Sequence, residues 1–158
     1  MPVLLRFLML LGLVIWIGSI IFFGVLAPNA FAVLPTRQLA GTVVSRMLPI
    51  LHWMGLASGT VYLVSSMVYS RVAVGDAQPL AARHVLVIVM LILTLISQFA
   101  IVPKMATLRA EMTNIDTVPQ DDPRRVEFNR LHVWSSRLEQ GILLLGLATL
   151  YLVARQLK

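Results

Sequence analysis

The residues best suited to chemistry in this sequence lie close together between positions 132 and 139. His132, Ser135 and Glu139 are spaced i, i+3 and i+7, which places them on one face if the segment is a helix. A histidine and a carboxylate on one helix face can share a proton, bind a cation or hydrogen-bond a neighbouring helix. Ser136 adds a second hydroxyl, and His52 is a candidate ligand elsewhere in the chain. The alternative is a polar network that only joins helices.

Metal and haem sites have weaker support from the sequence. The chain has three His, eight Met and no Cys, without a His-x-x-x-His pair or a Met-x-x-x-Met series. Methionines in an apolar chain usually serve packing. Haem held by His52 and His132, or a copper site, is therefore the minority alternative, and we predict no cofactor. Signatures of nucleophilic catalysis, phosphate loops or nucleotide binding are absent, which favours a protein that is not an enzyme.

The absence of charge indicates the elements that must position these residues. Of 158 residues, 58% are hydrophobic and 13% are charged, whereas soluble domains have about 45–50% apolar and about 25% charged residues. Charge-free stretches of 30, 24 and 20 residues lie between Arg6 and Arg37, between Arg46 and Arg71, and between Arg83 and Lys104. Because about 20 apolar residues cross a bilayer, we predict membrane spans near 4–27, 47–70 and 84–103.

The fourth helix must begin well before its apolar part. The last charge-free stretch has only 15 residues and starts after Glu139, so this carboxylate is brought toward the membrane. Asp122-Pro123 is a typical helix start, with Asp as N-cap and Pro in the first turn. We therefore predict a helix from Pro123 to about residue 154, which spans the membrane over 131–154.

The whole chain is thus predicted to form one domain. Its fold class is an all-α integral membrane protein: a four-transmembrane-helix bundle with an extended, partly helical connector, residues 104–130, between helices three and four. The net charge of +6 comes from basic residues that flank the spans. This pattern favours contact with the lipid bilayer and excludes nucleic acid as a partner.

The distribution of basic residues also predicts an orientation. With four spans, the side of the termini has five Lys and Arg residues and the opposite side has eight. The positive-inside tendency then places the 104–137 segment in the cytoplasm and exports both termini.

Small and polar residues within the spans predict helix contacts. Gly55 and Gly59 form a small-x-x-x-small pattern that allows close helix approach. We expect this pattern to pack helices within the bundle, with a homo-oligomer as the alternative. Gln98 and Ser97 are expected to hydrogen-bond across helices. His84, beside Arg83, is expected at the membrane edge.

Several motifs, taken in order along the chain, resemble one family. They are Trp16-x-Gly18-x-x-x-Phe22 with Pro28, then Ser45-Arg46-x-x-Pro49, then Pro103-Lys104, and finally Leu131-His132-x-x-Ser135-Ser136. Together they resemble the transmembrane protein 205-like family, which in bacteria appears as domain of unknown function 4149. The resemblance extends from about residue 8 to residue 154. It departs from the family pattern at Glu139, where relatives are expected to have Asn.

The resemblance implies a four-helix protein of the bacterial inner (plasma) membrane whose activity is poorly defined. It also implies a looser similarity to small membrane families involved in copper resistance and haem synthesis. Three functions remain open: binding, movement or tolerance of a small solute or metal; haem- or metal-linked redox chemistry; and a non-catalytic assembly role. A four-span monomer has little room for an aqueous path, so transport would require an oligomer.

Overall fold

The computed structural model describes residues 2–156, which fold into helices without a strand. The helices are α1 (Pro2–Val33), α2 (Arg37–Val74), α3 (Ala82–Ile96), α4 (Val102–Met112) and α5 (Pro123–Gln156). A π-helix, Ser97–Ile101, joins α3 to α4 without a break, so that these three segments form one rod. Four helical rods confirm the predicted all-α, four-helix fold class.

All four rods are long and apolar enough to cross a membrane. They are Pro2–Val33, Arg37–Ala73, Ala82–Met112 and Pro123–Arg155. Large apolar side chains remain exposed on their outer surfaces; Phe22 is 66% exposed and Leu144 is 67% exposed. Such surfaces fit an integral membrane location, where lipid covers them. Because each rod exceeds the roughly 20 residues that cross the hydrocarbon, its ends must project or the rod must tilt.

The first two helices form a tight hairpin. Only residues 34–36 separate α1 from α2. The predicted spans 4–27 and 47–70 therefore lie within helices that are longer than predicted. Thr36 caps α2, since its side chain accepts a hydrogen bond of 3.1 Å from the backbone N–H of Leu39. At the other end, Gly75 adopts a left-handed conformation with φ 83°, and its N–H bonds to Arg71 O.

α5 begins at Pro123, the residue at which the sequence predicts the start of the fourth helix. Asp122 Oδ1 accepts a hydrogen bond of 2.9 Å from the backbone N–H of Arg124, and Asp122 O accepts one of 3.0 Å from Val126. The Arg124 side chain also bonds to the Asp122 carboxylate. These side-chain and backbone bonds from Arg124 lower the pKa of Asp122 to about 2. Of the predicted connector, residues 113–122 lie outside helices.

Trp16 fills the interface between α1 and α2, the most extensive helix contact in the bundle. A Cβ added at Gly55 would lie 2.5 Å from Trp16 Nε1, and one added at Gly59 would overlap the Trp16 ring. A Cβ at Gly12 would lie 2.7 Å from Ser58 O. Glycine is therefore required at these positions by the close approach of the two helices, and the Gly55/Gly59 pattern serves packing inside the chain.

A group of hydrogen bonds ties the start of α2 to the end of α4. Arg109 Nη2 donates to Gln38 O at 2.6 Å, and Gln38 Nε2 donates to Thr113 O at 3.1 Å. The backbone N–H of Gln38 donates to Asp116 Oδ2 at 3.2 Å. These bonds fix the third rod against the hairpin at one end of the bundle.

Candidate functional site

Three polar side chains from three different rods meet inside the bundle. His52 lies on α2, Gln98 in the π-helix and Glu139 on α5. His52 Nε2 is 2.8 Å from Glu139 Oε1, and His52 Nδ1 is 2.7 Å from Gln98 Oε1. The His52 side chain is 1% exposed and the Glu139 side chain 12%. We call this group the interior triad.

The π-helix positions Gln98 toward His52. The turn is wider than in an α-helix, because the N–H of Val102 donates a hydrogen bond to Ser97 O, five residues earlier. Pro103 follows immediately and has no N–H to continue the regular ladder. Single π-helical turns within α-helices occur frequently at functional sites. Here the turn supplies one of the three polar groups of the interior triad.

The hydrogen-bonding capacities of the interior triad allow it to hold a variable number of protons. If the Gln98 amide oxygen accepts from Nδ1–H, a second proton lies between Nε2 and the Glu139 carboxylate. If the amide turns and its NH₂ donates to Nδ1, a neutral imidazole still donates Nε2–H to the carboxylate. The triad can thus lose one proton without leaving a hydrogen-bonding group unsatisfied, because the Gln98 amide can act as donor or acceptor.

The structure brings together only part of the polar face proposed from the sequence. Ser135 is 4% exposed and lies one turn before Glu139 on the same face. His132 is exposed, and the Ser136 hydroxyl donates to His132 O at 3.0 Å within the helix. The histidine beside Glu139 is therefore His52 and not His132. Helical spacing shows which residues share a face, but it cannot show which neighbouring helix covers that face.

Gln98 was expected to bond across helices, and it does so, yet nothing in its sequence position marked it as part of a site with His52. Its neighbour Ser97 was expected to do the same. The Ser97 hydroxyl is fully buried and has no hydrogen-bond partner within residues 2–156.

His84, expected at the membrane edge, lies in a second buried cluster in the first turn of α3. It is 0% exposed; its Nε2 lies 2.7 Å from the Ser66 hydroxyl and its Nδ1 lies 2.8 Å from Gln78 O. Arg83 is 8% exposed and donates to the Ser70 hydroxyl at 2.6 Å. This cluster anchors the start of α3 to the last turns of α2.

The remaining motif residues have structural positions along the first three rods. Pro28 and Pro49 lie inside α1 and α2, and Pro103 lies in the first turn of α4. The Ser45 hydroxyl donates to Thr42 O at 3.0 Å, and Arg46 is exposed. Gly18 and Phe22 line an apolar groove between α1 and α2.

A closed metal centre has no geometric support in the part of the chain that is described. Residues 2–156 contain no group of three or more His, Asp or Glu side chains arranged to hold a metal ion. Within the interior triad, His52 Nε2 and Glu139 Oε1 face each other, whereas Gln98 Oε1 contacts the other ring nitrogen, Nδ1. Two facing donors are fewer than a structural zinc site needs.

Residues 11–114 match the family described as Domain of unknown function (DUF4149). The chain belongs to this family. The DUF4149 match covers about two thirds of the sequence, includes His52 and Gln98, and ends before α5, which carries Glu139. No match was found among curated proteins or among solved structures.

Proposed function

We propose that this protein binds a small cationic solute or a metal ion inside its helix bundle, at the interior triad, in exchange for a proton. The observation that carries the proposal is the contact between His52 and Glu139, 2.8 Å long and buried between two membrane-spanning helices. Ionisable side chains within membranes are costly, and they typically mark proton relays and substrate or ion pathways.

The chemistry of the triad favours exchange between a proton and a cation. When Nδ1–H donates to Gln98 Oε1, loss of the proton between Nε2 and Oε1 leaves a nitrogen lone pair and a carboxylate directed at the same point. These donors suit borderline cations such as Zn²⁺ and Cu²⁺, or an organic ammonium group. Since a metal needs deprotonated ligands, cation and proton must compete. The buried hydroxyls of Ser135 and Ser97 are further polar groups close to the triad in sequence.

The two other functions open at the level of sequence have less support. Axial ligation of haem by His52 Nε2 would break its contact with Glu139, and His132 is exposed on a different part of α5. An assembly role built on Gly55 and Gly59 conflicts with their contact with Trp16 inside the chain. For the wider relationship, we infer from the order of the motifs a link to the transmembrane protein 205-like family and a bacterial inner membrane location, with the 104–137 segment cytoplasmic.

The proposal is tested by measuring binding and proton release together. Purified protein in detergent is titrated with Zn²⁺, Cu²⁺ and a panel of organic ammonium ions, while a pH indicator records released protons between about pH 6 and about pH 8. We expect binding of at least one of these cations, release of about one proton per cation bound, and weaker binding at the lower pH.

Two variants make the test specific. Glu139→Gln keeps the shape of the side chain and an acceptor for His52 Nε2–H, so the fold is retained, but cation binding and proton release should both be lost. His132→Gln, an exposed position on the same helix, should behave as the wild type. Unchanged binding by Glu139→Gln, or no binding of any tested cation by the wild type, would contradict the proposal.

A further inference from the structure

An apolar groove runs along the outer side of the α1–α2 hairpin. Its cavity volume is about 470 Å³, within the range of about 300–1,000 Å³ typical of small-ligand pockets. Its walls include Val14, Phe22, Leu26, Met47 and Ile50, with Gly18 between them. We call it the α1–α2 groove. It is separate from the interior triad, none of whose residues line it.

The groove has the length and chemistry of a binding site for one lipid chain. Val14 and Leu26 are twelve residues apart, which corresponds to about 18 Å of helix. One leaflet of hydrocarbon is about 15 Å thick, half of the bilayer core. Ser19 is the one hydroxyl among its lining residues, and that group already donates to Trp16 O at 2.8 Å. The groove therefore offers apolar contact throughout its length.

A cationic side chain stands at one end of the α1–α2 groove. Arg46 immediately precedes Met47 and lies one turn before Ile50 on the same side of α2. Its side chain is exposed and forms no hydrogen bond or ion pair with any other residue among residues 2–156. The groove is about one leaflet long and apolar, and it has an arginine at the end formed by Met47. These features match a lipid acyl chain whose headgroup carries a phosphate.

We propose that the α1–α2 groove binds one acyl chain of an anionic glycerophospholipid whose phosphate contacts Arg46. A second copy of the chain fits this surface less well. Two copies packed across the groove around an axis along the membrane normal would bring their Arg46 side chains to the same level, where like charges repel. The lipid satisfies both the apolar walls and the cation. This inference does not rest on the proposed exchange of protons and cations.

The test is native mass spectrometry of the full chain released from detergent. Phosphatidylglycerol and phosphatidylcholine with identical acyl chains are supplied in equal amounts. We expect phosphatidylglycerol adducts to exceed phosphatidylcholine adducts about fivefold, the effect of one favourable lysine or arginine contact at a membrane surface. Arg46→Gln should remove this preference. Arg37→Gln, an exposed arginine at the start of the same helix, is the matched control and should keep it.

A second variant separates the groove from surface charge. A Cβ added at Gly18 would meet no atom within 4 Å, so Gly18→Leu fits the fold, fills the groove and should reduce adducts of both lipids while helix content is unchanged. Equal binding of the two lipids, equal loss of preference in Arg37→Gln, unchanged adducts in Gly18→Leu, or a lipid-free dimer that Gly18→Leu disrupts would each overturn the proposal.

Discussion

The contact between His52 and Glu139 should act as a measurable thermodynamic link between α2 and α5. Its two side chains are 1% and 12% exposed and 2.8 Å apart. Hydrogen bonds that involve a charged group contribute about 1.5–3 kcal/mol, whereas polar contacts between membrane helices average about 0.6 kcal/mol. The near-complete burial and short distance favour the higher range, so we expect a coupling free energy of about 2 kcal/mol.

A double-mutant cycle measures this quantity. His52→Leu and Glu139→Leu should each lower the free energy of unfolding by about 3 kcal/mol, because each leaves a buried polar partner without its bond. The double variant should lose about 4 kcal/mol and not the sum of the two, because neither polar group remains. Unfolding is followed in mixed micelles by tryptophan fluorescence, with protein concentration held constant.

A second cycle provides the control. His132→Leu combined with Glu139→Leu should show a coupling within about 0.5 kcal/mol of zero, as expected for residues without a shared contact. This cycle also compares the histidine favoured by helical spacing with the one that the structure places beside Glu139. A coupling below about 0.5 kcal/mol for His52 and Glu139, or a larger one for His132, would refute the argument.

Three further predictions concern packing, the second polar cluster and pH. Gly59→Ala should destabilise the protein by about 1–3 kcal/mol by overpacking, whereas Gly18→Ala should be neutral or stabilising; equal thermal melting of both variants in detergent would contradict the α1–α2 packing. His84→Leu should cost about 2 kcal/mol, since the buried Ser66 hydroxyl and Gln78 O each lose their bond to the imidazole; an unchanged melting temperature would exclude this. Bonds from Arg124 lower the pKa of Asp122 to about 2. The ionised carboxylate therefore stabilises the first turn of α5 in full at pH values above the ordinary aspartate pKa, and this stabilisation is lost as the pH falls through about 2. Asp122→Asn should remove this acid-dependent step from hydrogen exchange in that turn, and a step that persists would contradict the assignment.

The elements of the fold follow from local features of the sequence. Gaps in charge located the four rods, and Asp122-Pro123 located the start of α5, because capping and hydrophobic length act over a few residues. The true ends of α1 and α2 did not follow from these gaps. α1 continues to Val33 and α2 starts at Arg37 in polar sequence, so only residues 34–36 remain between them, since a helix can project beyond the hydrocarbon wherever its backbone bonds stay satisfied.

The candidate site was predictable only in part. Glu139 stood out because it lies at the edge of an apolar stretch, and His52 because it is a lone imidazole inside one. Their pairing depends on the rotation and depth of each helix, which close packing such as that of Trp16 against Gly59 decides. The direction of the Gln98 side chain depends further on the π-helix, whose wider turn rotates the side chains relative to a regular α-helix. Pro103 was the one local sign of that turn.

The order in which the triad residues occur has a consequence for biosynthesis. The α1–α2 hairpin is closed by three residues and makes its contacts locally, so it can pair soon after the ribosome has made it. His52 then lacks its carboxylate partner until Glu139 is synthesised, 87 residues later. A chain that stops before Pro123 would keep Gln98 beside His52 Nδ1, but His52 Nε2 would lack its carboxylate partner. Completion of the triad therefore distinguishes a finished bundle from a truncated one.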